Sequence, residues 1–148
     1  VPTMATTKKD SGSFTEDERA AMKARAAEAR AEKKGAKKEA ERQMLLDALA
    51  ELEGDDKALA EQLHAVITAA APDLDWRTYY GMPAYARDGK VVVFFQPAGK
   101  FKSRFSTLGF TDSANLDDGG MWPTSWAITE LTAADEKRIA ELVTAALA

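Results

Sequence analysis

Six side chains of this sequence, Tyr80, Tyr85, Lys102, Arg104, Trp122 and Trp126, are of the types that hold a small ligand: flat rings for an apolar body and cations for an anionic end. An apolar concavity with a few polar tips is the usual form of such a site, and this set would suit an anionic or aromatic molecule. The same rings would serve equally as core, because tyrosine and tryptophan bury large areas in small domains. A second set is acidic. Glu51, Glu53, Asp55 and Asp56 crowd one helix junction, where oxygen ligands suit hard cations and where carboxylates also cap helices and stay solvated. Asp112, Asp117 and Asp118 fall in a later loop, but not at EF-hand spacing, and Gly119-Gly120 reads as a turn.

Other chemistries lack their residues. The 148-residue chain has no cysteine, which removes disulfides, thiolate nucleophiles and cysteine-ligated zinc or iron–sulfur centres. His64 is the single histidine, so a histidine-type zinc site has no second ligand, and no nucleophile-elbow sequence accompanies Ser103, Ser106, Ser113 or Ser125. The spacings GxxxxGK and GxGxxG of phosphate loops do not occur. No apolar run approaches the ~20 residues of a membrane span, and the first thirty residues carry no apolar segment of signal-peptide type. A cytoplasmic protein with no membrane contact is expected.

Charge is unevenly spread. Residues 1–43 carry eleven Lys/Arg against eight Asp/Glu, and residues 44–148 carry nine against sixteen. The first stretch contains a helix start at Thr15, with Glu18 completing a capping box, followed by an Ala-, Glu-, Lys- and Arg-rich arm with Met22 as its one large apolar side chain. Gly35 predicts a bend or break in it. Such an arm could touch nucleic acid through phosphates, but its acids nearly balance its bases, which argues for a solvated helix.

From Met44 the pattern changes. Leu45, Leu46, Leu49 and Leu52 fall at helical spacing up to Gly54, and Leu59, Leu63, Val66, Ile67 and Ala70 do so up to Pro72. Asp88-Gly89 suits a type I′ turn joining "PAYAR" to "KVVVFFQ". "FKSRFSTLGF" reads as the next strand, with Phe101, Ser103, Phe105 and Thr107 on one face and Lys102 and Arg104 on the other. "MWPTSWAI" reads as a further strand, with Pro123 holding its first half at an edge. Thr132 and Asp135 form a second capping box ahead of a helix set by Ile139, Leu142, Val143 and Ala146. The order predicts an α+β fold, an antiparallel sheet of about four or five strands packed with helices. Its parts are a disordered tail over 1–14, a helical arm over 15–43 and the domain over 44–148. Alternation places Val91, Val93 and Phe95 on one face of the central strand and Val92, Phe94 and Gln96 on the other, so both faces are apolar and the second needs a cover.

"YYGMPAYARDGKVVVFFQ", the strand containing Lys102, "LDDGGMWPTSWAI" and the terminal amphipathic helix together resemble the YdhG-like family of small bacterial domains of unknown function. The motif is carried by Tyr80, Gly81, Met82, Pro83 and Tyr85 and the hairpin by Gly89 and Lys90, over about residues 56–147. The resemblance implies a frataxin-like sandwich and, through one branch of the family, an iron chaperone. Glu51, Glu53, Asp55 and Asp56 are the nearest equivalent of a frataxin carboxylate ridge, although the basic arm ahead of them departs from frataxins. The sequence therefore reads as a binding module rather than an enzyme, for a small anionic molecule or a protein partner. Iron handling and nucleic-acid contact through the arm are the alternatives, and homodimerisation through a sheet edge or the arm stays open.

Overall fold

Thr15 opens helix α1, Glu16–Glu51, as its spacing with Glu18 requires: the Glu18 amide donates to Thr15 Oγ1 at 3.1 Å, and the Thr15 amide donates to Glu18 Oε1 at 3.4 Å. The computed structural model describes residues 15–148, without the side chains of residues 31 and 32, so the tail expected over 1–14 lies outside the described residues. Gly35 is helical, not a break, and a Cβ there would meet nothing within 4 Å. The chain separates into two compact units after Lys37. In the first, the described side chains are exposed and Arg25 pairs with Glu28 one turn on at 3.3 Å.

The second unit holds the sheet. Five antiparallel strands, β1 (Asp75–Tyr79), β2 (Met82–Arg87), β3 (Lys90–Gln96), β4 (Ser106–Phe110) and β5 (Ser125–Ile128), follow one another in sheet order as in sequence, with β3 at the centre. Both β1–β2 and β2–β3 turns use paired left-handed residues, Tyr80-Gly81 at φ 50° and 78° and Asp88-Gly89 at φ 53° and 79°. Two successive positive φ values are what a two-residue hairpin of the favoured twist demands.

Helix α2, Gly54–Ala70, and helix α3, Ala133–Ala146, complete the fold with the last turns of α1. Leu45, Leu49 and Leu52 of α1, Leu59, Leu63 and Ile67 of α2 and Ile139 and Val143 of α3 share one core with Tyr85, Val93, Phe95, Leu108, Phe110 and Ile128. By register these sheet residues lie on one face: Tyr85 opposes Val93, Val93 opposes Phe110, and Phe95 opposes Leu108. The architecture is thus α+β, with helices gathered on one face of a meander. Thr132 caps α3 as expected, accepting from the Asp135 amide while Asp135 accepts from the Thr132 amide. These bonds, the backbone one first, hold the Asp135 carboxyl below the usual range.

Two further sequence expectations are corrected. Strict alternation fails in β3, because the β2–β3 pairing slips between Tyr85 and Ala86: Tyr85 faces Val93, but Ala86 faces Val91. The extra residue, Val92, goes into the core beside Val93 and Phe95, while Val91 is left half-buried. The strand expected from Phe101 begins only at Ser106. Residues 97–103 instead wind into successive turns, with the Ser103 amide on the Ala98 carbonyl at 2.9 Å and the Ala98 amide on Ser106 Oγ at 2.9 Å. Lys102, at φ 54°, cannot lie in a strand.

Candidate functional site

The face of the sheet turned away from the helical core is built from the other parity of each strand. One row across it runs Arg77, Ala84, Phe94, Gly109 and Ser125, and the next runs from Tyr79 to Met82 on one side and from Gln96 to Thr107 and Ala127 on the other. Ser125 and Ala127 are exposed and Phe94, Gln96, Thr107 and Tyr79 half-buried, whereas on the core face Val93, Phe95 and Leu108 are sealed. The cover this face was expected to need is partly supplied by its own side chains. Phe94 lies over Gly109, so close that a methyl group there would come within 2.8 Å of two of its ring carbons. Its ring stands 5.4 Å from that of Tyr79, which in turn meets the ring of Tyr80 edge-on at 4.6 Å. Tyr80 is 82% exposed.

Near both ends of β3 cations and acids stand together. At the β2–β3 turn, Arg77, Arg87 and Lys90 line a cleft of about 770 Å³ together with Tyr79, Val91, Asp88 and Asp112. Arg77 lies 3.8 Å from Glu41 of α1, and Arg87 donates to the Leu147 carbonyl at 2.8 Å. At the other end, Lys100 Nζ donates to the Gly81 carbonyl at 3.0 Å, which ties the 97–105 loop to the turn that carries Tyr80. Phe101 is exposed in that loop, and the Arg104 guanidinium lies 5.1 Å from the Phe105 ring centre. From Trp76 to Thr111 the chain has six cations, Arg77, Arg87, Lys90, Lys100, Lys102 and Arg104, and one acid, Asp88.

The six residues expected to share a site are divided by this geometry. Tyr80 lies at the β1–β2 end of the open face, while Lys102 and Arg104 are exposed in the 97–105 loop rather than on a strand. Tyr85 faces the helices, 1% exposed. A 2.7 Å hydrogen bond joins its hydroxyl to His64 Nδ1 of α2, and burial pushes the phenol pKa up and the imidazole pKa down. The imidazole therefore stays neutral at neutral pH, and the tautomer it adopts sets which of the two groups donates. Trp76 meets His64 edge-on at 4.5 Å, with Arg42 of α1 over the indole at 4.4 Å. Trp126 packs edge-on against Phe110 at 5.6 Å and borders a cleft of about 240 Å³ against Leu142 of α3. Trp122, half-buried, precedes β5.

The acidic set is likewise divided. Glu51, Glu53 and Asp56 border a cleft of about 520 Å³ with Gly99 and Lys100. Asp56 accepts the Gly99 amide at 2.9 Å, and Glu53 stands at the N-cap of α2 without a side-chain cap bond. Asp55 is exposed in the first turn. Among the described residues no group of three or more carboxylates or histidines is placed to hold a metal ion, and no helix is long and apolar enough to cross a membrane.

Tyr79 and Phe94 form the half-buried centre of the open face: Tyr79 belongs to the aromatic group the sequence singles out, and alternation assigns Phe94 to the uncovered face, but neither is among the six candidate ligand-binding residues. The signal that could have found them is the glycine of "STLGF", which in a strand marks the close approach of another group. Comparison with protein-family models, with curated proteins and with solved structures yields no match.

Proposed function

We propose that the second unit is a non-enzymatic binding module whose open sheet face holds an anionic partner carrying a flat apolar group. The observation that carries this reading is the strip Tyr80–Tyr79–Phe94, in which Tyr80 is exposed and the other two rings are half-buried, with Arg77 in the row of Phe94 and Lys100 bonded to the turn that bears Tyr80. The titratable groups with displaced pKa values support binding over catalysis. His64 and Tyr85 bond to each other in the helix–sheet interface, and Asp135 is engaged in a helix cap. The one-sided sandwich after the Tyr-Gly-Met-Pro sequence also supports the YdhG-like reading of the chain.

The test is a titration of the isotopically labelled chain with 8-anilinonaphthalene-1-sulfonate, an aromatic sulfonate, followed by amide and aromatic NMR shifts. Saturable shifts at Tyr79, Tyr80, Phe94 and Gly109 are expected. Shifts confined to the Trp126–Leu142 cleft, or no saturable change, would end the reading.

A further inference from the structure

We infer that the chain associates with a second copy of itself through the free edge of β5, the two strands pairing antiparallel across a two-fold axis so that one sheet continues into the other. The inference is independent of the open face. It rests on which backbone groups of β5 lack a partner.

The Phe110 amide donates to the Thr124 carbonyl at 2.8 Å. The register, which sets Gly109 opposite Ser125 and Ser106 opposite Ile128, puts these two residues opposite each other. In an antiparallel ladder, opposed residues alternate between pairs that exchange backbone hydrogen bonds and pairs that do not. Thr124, Trp126 and Ile128 therefore turn their amides and carbonyls to β4, and Ser125 and Ala127 turn theirs away from it. β5 is the last strand of the sheet, both residues are exposed, and among the described residues no group bonds to these outward amides and carbonyls.

A row of unpaired amides and carbonyls is a template for another strand, and proteins guard such edges with charge, cover or a bulge. The two edges of this sheet differ in that respect. On β1, Asp75 is paired with Lys38 at 3.2 Å and Arg77 with Glu41 at 3.8 Å, both from α1. β5, Ser-Trp-Ala-Ile, carries no charge, and its register with β4 is unbroken. Pro123, of the same outward parity, bounds the free edge on one side, and Thr129 leaves the strand on the other.

The occupant follows from the edge being its own complement, which a two-fold contact requires. Setting Trp126 opposite Trp126 of the second copy places Ser125 against Ala127 and Ala127 against Ser125, so that every free backbone group of both strands is engaged. On the open side only these small side chains meet. On the helix side the two indoles meet in a pair without backbone bonds, where side chains approach most closely, and aromatic cross-strand pairs are among the favourable ones. No like charges are opposed. Trp126 is half-buried in the single chain and borders the cleft of about 240 Å³ with Leu131 and Leu142. The second copy thus covers apolar surface beside the paired strands. A foreign strand would find the same backbone groups, but the tryptophan on the axis and the matched small residues favour the strand's own sequence. The contact is short, which puts the dimer in the weak class that small interfaces form.

Sedimentation velocity of the full chain from micromolar to millimolar concentration should show a reversible monomer–dimer equilibrium. Hydrogen exchange read by NMR over the same range reports the contact itself. The Ser125 and Ala127 amides should exchange freely in dilute solution and slow as the dimer fills, while those of Trp126 and Ile128, bonded to β4, stay protected throughout. Ala127→Pro deletes the outward amide on both copies and leaves the ladder to β4 intact, because proline is tolerated on an edge strand where its nitrogen faces solvent. With two backbone hydrogen bonds lost, the dimer should weaken by about thirtyfold, and circular dichroism should be unchanged.

A chain that is monomeric at every concentration would overturn the inference and leave the edge to an extended segment of another protein. So would a dimer in which the two amides exchange as freely as in dilute solution, or one that Ala127→Pro leaves at full strength. Should the proline variant not fold, exchange in the unaltered chain decides alone. Neither result bears on the aromatic strip, which the naphthalenesulfonate titration tests separately.

Discussion

Replacing Gly109 by alanine should dismantle the open face without touching the core beneath it. The new methyl would stand 2.8 Å from two ring carbons of Phe94, against the ~3.5–4.0 Å at which carbon atoms attract. The ring must therefore retreat by about 1 Å, which turns it off Gly109 and disturbs its 5.4 Å contact with Tyr79. Overpacking of this kind costs about 1–3 kcal/mol. Alanine recovers roughly 0.5–1 kcal/mol of the backbone penalty that glycine carries in a strand, leaving a net loss of about 1–2 kcal/mol. For a folded unit of this size the loss lowers Tm by roughly 3–8 °C. Urea and thermal unfolding of Gly109→Ala, Phe94→Ala and the double variant give the coupling between the two sites. The loss caused by the methyl should largely vanish once the ring is gone, a coupling of at least about 1 kcal/mol. An unchanged Tm for Gly109→Ala, or additive losses in the double variant, would refute the packing argument.

Other consequences are checked more simply. Tyr80→Asn removes a bulky side chain from a left-handed turn position, a relief of about 1 kcal/mol. It also gives up an exposed edge contact worth about 0.5 kcal/mol, so stability in urea should rise slightly while binding at the open face falls. Tyr85→Phe leaves His64 Nδ1 without its partner and should cost about 1–2 kcal/mol at neutral pH by urea unfolding. Burial holds the His64 pKa below its ordinary 6.5, so below pH 6.5 the unfolded chain takes up a proton that the folded chain refuses. The stabilisation is complete above pH 6.5 and is lost as pH falls through the folded value. Unfolding curves between pH 7.5 and 5 should show this decline, and His64→Gln should remove it.

What the sequence discloses follows from which interactions are local. The Asp88-Gly89 hairpin, the Thr15 and Thr132 capping boxes and the leucine stripes are legible because each is decided within a few residues. β1 is not, since Asp75–Tyr79 mixes charge and aromatic character, and its place beside β2 rests on non-local pairing. Alternation also misassigns Val91 and Val92, because a bulge is a property of two strands in register and not of either alone. The loop from Phe101 has a convincing strand period, but the Ser106 hydroxyl holds the Ala98 amide and Lys102 turns left-handed. Of the candidate site, its composition of rings and cations is readable, but Lys102 and Arg104 lie in a loop and not on the strand face that alternation gave them. Tyr85 and Trp126 are core-facing, and their neighbours His64 and Phe110 come from other elements, which spacing along the chain does not reveal.

The most direct test of the central claim is solvent paramagnetic relaxation on the unliganded chain, using a soluble gadolinium chelate and reading aromatic and amide protons. An open face predicts strong enhancement at the rings of Tyr79, Tyr80 and Phe94, with the side chains of Val93 and Phe95 protected. Protection of Tyr79 and Phe94 equal to that of Phe95 would contradict it, because the surface assigned to a partner would then already be covered.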